Sequence, residues 1–171
     1  MKFHLVDRIE SIEPGKRIVA IKALSLAEEY LADHFPAFPV LPGVLMIEAM
    51  VQSAAWLVRV QQDFANSIVM LQAVRNVKYT HFVRPGSVLR CEATAMEIGE
   101  TAARFKGAGF VGDRQAVSGR LELRCFNLAG RPGCSRETDA AIVGQLREQF
   151  RLIGGPEALA AAGSASGRRA E

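Results

Sequence analysis

His34, the Pro42-Gly43-Val44 step and Glu48 stand in one short block, and their types and spacing suit proton chemistry. Glu48 falls about one and a half turns into a stretch, residues 43–60, that is apolar on nearly every face. Gln52 follows one turn later on the same face. An unpaired ionised carboxylate is costly to bury, so a carboxyl in such a place holds a proton instead and can donate it. A structural ion pair with an arginine would account for Glu48 equally well. His34 lies on a segment stiffened by Pro36, Pro39 and Pro42 that leads straight into the same helix, whereas His4 and His81 belong to no such block. Taken alone, His34 also reads as a loop histidine without a role. Gly43 and Val44 offer backbone N–H groups at the positive end of the helix, suited to a carbonyl oxygen on which negative charge develops. An ordinary proline-capped helix start has the same appearance. Together the three parts fit one reaction class: a base removes a proton α to a carbonyl, donors hold that carbonyl, and an acid protonates a departing hydroxyl.

These groups need elements to hold them. Residues 3–9 read as a strand, Pro14-Gly15 as a turn, and residues 17–24 as a second strand by alternation. Residues 25–31 suit a short helix, and the three prolines of 34–42 exclude regular helix there. A helix over 43–60 that is apolar all round must be buried. Residues 68–79, 88–97, 104–111 and 115–126 read as four consecutive strands with turn-like connectors, which predicts an antiparallel meander. The expected class is α+β: an antiparallel β-sheet wrapped around a long central α-helix, followed by an amphipathic C-terminal helix. That last helix carries Ile142, Val143, Leu146, Phe150 and Ile153 at helical spacing, starts near Thr138 or Asp139 and stops at Gly154-Gly155-Pro156. The organisation predicted is a main domain over 1–130, a helical extension over 131–156, and a disordered tail over 157–171.

Composition narrows the function classes. A net charge of +3, with no basic stripe and no interleaved aromatics, argues against nucleic acid. The apolar stretch 44–60 is interrupted by Glu48, Gln52, Ser53 and Arg59, and reads as too short and too polar for a bilayer span. The N-terminal residues show no apolar signal region. Cys91, Cys125 and Cys134 are an odd number without a C-x-x-C pair, which argues for a reducing, cytoplasmic setting and against a disulfide framework or a metal site.

The block HFPAFPVLPGVLMIEAMVQ resembles the signature of the 3-hydroxyacyl-acyl-carrier-protein dehydratases of the FabZ type. The likeness runs from about Leu5 to Leu123 and includes VDRIESIEPGKRIVAIK, VKYTHFVRPGSVL and ARFKGAGFVGDRQAVSG. It implies a hot-dog fold whose active sites form at a homodimer interface, alone or within a dimer-based higher oligomer. It implies catalytic roles for His34 and Glu48, and substrate contacts at Phe35, Pro36, Gly43, Val44 and Gln52. The implied substrate is a (3R)-hydroxyacyl chain on acyl carrier protein; the phosphopantetheine arm belongs to that substrate, so no separate cofactor or metal is expected. Glutamate at position 48 fits this branch, since the related dehydratase-isomerases carry aspartate there. The chain departs from the family pattern at Asp33 and Ala37, where glycines are usual, and at Thr80-His81-Phe82, where Arg-Arg-Pro is usual. Ala54, Ala55 and the bulky Trp56 bear on the acyl tunnel, and residues beyond about 129 exceed the usual length. An acidic carrier protein would meet basic residues in or beside the site elements: Arg59, Arg75, Lys78, Arg84 and Arg90, with Arg84, Lys78 and Arg75 foremost. The rival readings are a hot-dog thioesterase, a coenzyme A-linked hydratase, and a non-catalytic acyl-binding homologue.

Overall fold

The computed structural model describes residues 3–167, with side chains through 162. Six strands form one antiparallel sheet: β1 (Arg8–Glu13), β2 (Arg17–Ala23), β3 (Ile68–Tyr79), β4 (Val88–Ile98), β5 (Ala102–Val111) and β6 (Arg114–Phe126). One single-turn helix, α1 (Tyr30–Asp33), precedes the central helix α2 (Gly43–Gln61), and α3 (Arg136–Leu152) and α4 (Gly155–Gly167) close the chain. Alternate residues of the strands face α2: Ile18 and Ala20, Leu89, Cys91 and Ala93, Ala103 and Phe105, and Val117, Leu121 and Leu123, all buried. Burying a side chain such as Phe105 or Leu121 stabilises the fold by about 1.5–3 kcal/mol each. The sheet can close on α2 because β5 carries Gly107 at the crossing. A Cβ there would stand 3.2 Å from the Met50 sulfur and 3.3 Å from a Leu121 methyl.

The expected α+β class is the one observed, but the strand order is β1-β2-β4-β5-β6-β3 rather than a simple meander. The connectors 99–101 and 112–113 do make neighbours of β4, β5 and β6. The connector 80–87 is long enough to cross over. Hydrogen bonds Leu24 N–H to Ser87 O, Gly86 N–H to Leu24 O and Leu41 N–H to Val83 O pin it beside β2, so β4 pairs with β2 and β3 lies at the far edge against β6.

Residues 3–7 are not strand. Leu5 and Val6 are both buried, which alternation forbids, and Gln52 takes up the backbone here by accepting from Leu5 N–H (2.9 Å) and donating to Phe3 O (3.2 Å). The helix expected over 25–31 shrinks to α1 because the Ser25 hydroxyl accepts from Ala27 N–H and holds a local turn. By length and mean hydropathy α2, with 19 residues, would pass as a membrane span. What sets it apart is packing rather than composition: Met46, Met50, Leu57 and Val58 are sheathed by the sheet.

Most of the apolar stripe of α3 packs on the parent domain, through Val143, Leu146, Phe150 and Ile153, while Ile142 stays half-buried. Phe150 packs on Trp56 and Phe64 (ring centroids 5.7 and 5.8 Å), and Arg147 stacks over Phe64 while pairing with Asp63 at 3.0 Å. The helix starts two residues before Thr138, at Arg136, because Ser135 and Thr138 form a reciprocal cap. The tail from residue 157, expected to be disordered, carries α4 instead. Gly154 at φ +78 stops α3, yet Pro156 sits in the first turn of a new helix, where a missing N–H costs nothing, and the alanines that follow favour helix. Residues 168–171 lie outside the described residues.

Candidate active site

His34 caps the C-terminal end of α1, and the loop behind it is tightly held. Phe38 N–H donates to Phe35 O at 2.7 Å, and Val40 and Leu41 are buried. Phe35, the next residue, has φ +52, a left-handed conformation that costs a bulky side chain about 1–2 kcal/mol. Strain of this kind persists where the surroundings fix the backbone. The His34 ring lies 4.5 Å from that of Phe35. It opens onto a cavity of about 280 Å³ shared with Gly43, Met46, Tyr79 and His81.

Gly43 and Val44 begin α2. Leu45 and Met46 N–H donate to Pro42 O, so these two amides precede the helix's own ladder. A Cβ on Gly43 would come within 2.9 Å of the Tyr79 ring, so glycine lets the helix start approach β3. Tyr79 is half exposed, and the burial of its phenol raises its pKa above the ordinary value. Val44 is 69% exposed, and neither it nor the exposed Pro36 lines either of the two cavities described here.

Glu48 is half-buried rather than sealed, and accepts a hydrogen bond from Gln52 Nε2 at 2.9 Å. With Gln52 anchored on the N-terminal segment, the carboxylate is held against one wall of a second cavity, of about 470 Å³. Thus the single chain does not gather its expected site. His34, Phe35 and Gly43 face one cavity, and Glu48 and Gln52 face another.

Several neighbours carried no sequence signal. His81 comes from the 80–87 connector and faces the His34 cavity, its Nδ1 3.2 Å from Gln115 O. His4 lines the Glu48 cavity and meets Gln149 Nε2 at 2.8 Å. Of the five basic residues expected in or beside the site elements, Arg59 is half-buried. It lines the Glu48 cavity, stacks 5.0 Å over Trp56, and its Nε is buried without a partner among the described residues. Burial pushes the Arg59 guanidinium down to about 10. Helical spacing from Glu48 and Gln52 would have placed Trp56 and Arg59 on that same face. Arg75 is paired with Glu122 at 2.8 Å, and Arg90 with Glu92. Lys78 is exposed, and Arg84 is exposed and stacked 4.8 Å over Phe38, which in turn meets Phe82 edge-on at 5.5 Å.

An antiparallel sheet wrapped on one long helix is the hot-dog fold, and solved structures agree. The dehydratase heterocomplex ApeI:P from Xenorhabdus doucetiae superposes with a TM-score of 0.59 at 22% identity, over 71% of this chain and 82% of that one. The E. coli PaaI protein superposes at 0.52 with 11% identity, over 69% and 78%. Residues 1–120 match the FabA-like domain family. The 3-hydroxyacyl-acyl-carrier-protein dehydratase FabZ of Clostridium kluyveri is 38% identical over 119 residues, 70% of this chain and 83% of that protein. The FabZ of Symbiobacterium thermophilum is 33% identical over 127 residues, 74% and 89%. The chain belongs to the FabA-like family of hot-dog proteins, on its FabZ side.

Proposed function

We propose that this protein is a dehydratase that converts a (3R)-hydroxyacyl thioester on acyl carrier protein into the trans-2-enoyl thioester, for fatty-acid or related lipid synthesis. The observation that carries the reading is the FabA-like match over 1–120 with a histidine and a glutamate intact in the one stiff block that leads into α2. His34 takes the proton from C2. The Gly43 and Val44 amides hold the thioester carbonyl as charge builds there. Glu48 protonates the C3 hydroxyl, which leaves as water while the C2–C3 double bond forms; the proton on His34 then returns to Glu48. Phe35, Pro36 and Gln52 frame the acyl group.

A shared site between two copies supports this division of labour. His34 and Glu48 open onto different cavities of one chain, and Phe35, Val44, Tyr79 and Phe82, beside the first cavity, are exposed apolar groups. An apolar patch of this kind is ordinarily covered by a partner. In the proposed homodimer, His34 of one protomer meets Glu48 of its partner. The chemistry uses the phosphopantetheine arm as part of the substrate and routes no step through a metal or separate cofactor. Three free thiols, two of them buried, fit a cytoplasmic setting. The test is direct. Purified protein incubated with 3-hydroxyacyl carrier protein should produce a species lighter by one water. A free acid would mean thioester hydrolysis, and an unchanged thioester, with binding alone, a non-catalytic homologue; either result would overturn the proposal.

A further inference from the structure

Arg59 is a charge that the proposed chemistry does not use. The cavity of about 470 Å³ runs along one face of α2, from Glu48 past Gln52, Ala55 and Trp56 to Arg59. Between its two ends the lining is mostly apolar, with Val51, Val69, Leu71 and Leu146 among others, interrupted by Gln52, His4 and Gln149. That interior suits methylenes and not the amides of a pantetheine arm. Arg59 stacks on Trp56, and its buried Nε has no acceptor among the described residues. Glu48 is eleven residues away, roughly 16 Å along the helix, too far to neutralise it. The Cys125 thiol is the other titratable group acting on Arg59, and burial raises its pKa and keeps it neutral. Arg59 is half-buried, but its Nε is sealed from solvent, and an unpaired buried donor is expensive, so this atom calls for an acceptor that arrives with a ligand. One wall of the cavity comes from Leu146 and Gln149 of α3, outside the matched residues 1–120, and the Gln149–His4 contact at 2.8 Å ties that wall to the N-terminal segment.

We propose that this cavity receives an acyl chain whose far end bears a carboxylate, held by Arg59 while Glu48 addresses the 3-hydroxyl at the near end. The inference rests on the dehydratase reading and adds a substrate class to it: 3-hydroxyacyl thioesters of dicarboxylic acids. Burial leaves the guanidinium charged at neutral pH, since about 10 is still well above it.

The experiment compares pantetheine thioesters of equal chain length, one ending in methyl and one in carboxylate, across a series of medium-length chains. For the wild-type protein kcat/KM should favour the carboxylate by roughly tenfold or more at the best length, the scale of a hydrogen bond to a charged group. Arg59→Leu should invert the ratio, and Arg59→Lys should retain part of it. In parallel, calorimetry measures binding of two unreactive amides of the same acids, one methyl-ended and one carboxylate-ended. Turnover of both thioesters with no carboxylate preference would overturn the inference and leave the dehydratase reading standing. No turnover of either, with carboxylate-dependent binding that Arg59→Leu abolishes, would overturn the dehydratase reading and support the anion site. Wild-type preference alone decides the matter should either variant fail to fold.

Discussion

In the proposed mechanism His34 and Glu48 perform opposite halves of one proton exchange, so each half can be removed separately. General acid–base groups typically contribute about 10²–10⁴-fold. His34→Ala and Glu48→Gln should each lose turnover on that scale with circular dichroism and melting unchanged; near-normal rates in either variant would refute the assignment. The proposal of this pair comes from one contiguous block, where proline stiffness and an acid on an apolar helix can be read directly. Tyr79 and His81 were not legible, because they reach the His34 cavity from the end of β3 and the connector after it, and no local pattern announces a tertiary approach. Arg59 was expected beside the site elements, but its place in the Glu48 cavity was not legible, because its stacking on Trp56 and the α3 side of that cavity are tertiary approaches.

At the scale of elements, period-two alternation located β2 and β3 to β6 to within a few residues, because one face of each packs on α2. Pairing order was less legible, since it depends on where the 80–87 connector is pinned. Helix α4 was hidden by Gly154-Gly155-Pro156, a sequence that stops one helix and starts another. The attachment of α3 turns on Asp139. Its buried carboxylate accepts from the Ser67 hydroxyl and from Leu128 and Ala129 N–H at 2.8 and 2.9 Å, tying the helix to the start of β3 and the end of β6. The Ser67 hydrogen bond, then the one from Leu128, lowers its pKa below the ordinary carboxylate value. A carboxyl whose folded pKa is depressed contributes stability above its unfolded pKa and loses it as pH falls through the folded one. Asp139→Asn should therefore melt several degrees lower at neutral pH. The gap between variant and wild type should narrow towards about pH 3 and below. A constant gap across that range would show that the charge is not what anchors α3.

At the scale of the whole molecule, a site divided between copies predicts complementation. In a mixed dimer of His34→Ala and Glu48→Gln chains, one of the two sites keeps both native groups, so equal mixing should restore about a quarter of wild-type turnover. No rescue despite confirmed subunit exchange would exclude a shared site. The carrier protein is acidic and this chain carries a net charge of +3, so encounter should be steered by exposed cations such as Arg84, which stacks on Phe38 near the mouth of the His34 cavity. Such steering is screened within roughly 8 Å at physiological salt. KM for a carrier-linked substrate should rise with salt, and Arg84→Glu should raise it further with kcat little changed, while a pantetheine thioester stays indifferent to both. If KM is flat in both experiments, the thioester is carried by coenzyme A instead. The margins of the sheet carry a last consequence. Along β1, the Ile9 N–H is already spent on Ile153 O at 2.7 Å, and α4 lies against the strand. Along β3, at the opposite end of the strand order, no further strand is paired among the described residues. A sheet with one covered hem and one open hem can be joined to another only once, so an association through β3 would terminate at two copies instead of running on into a fibre.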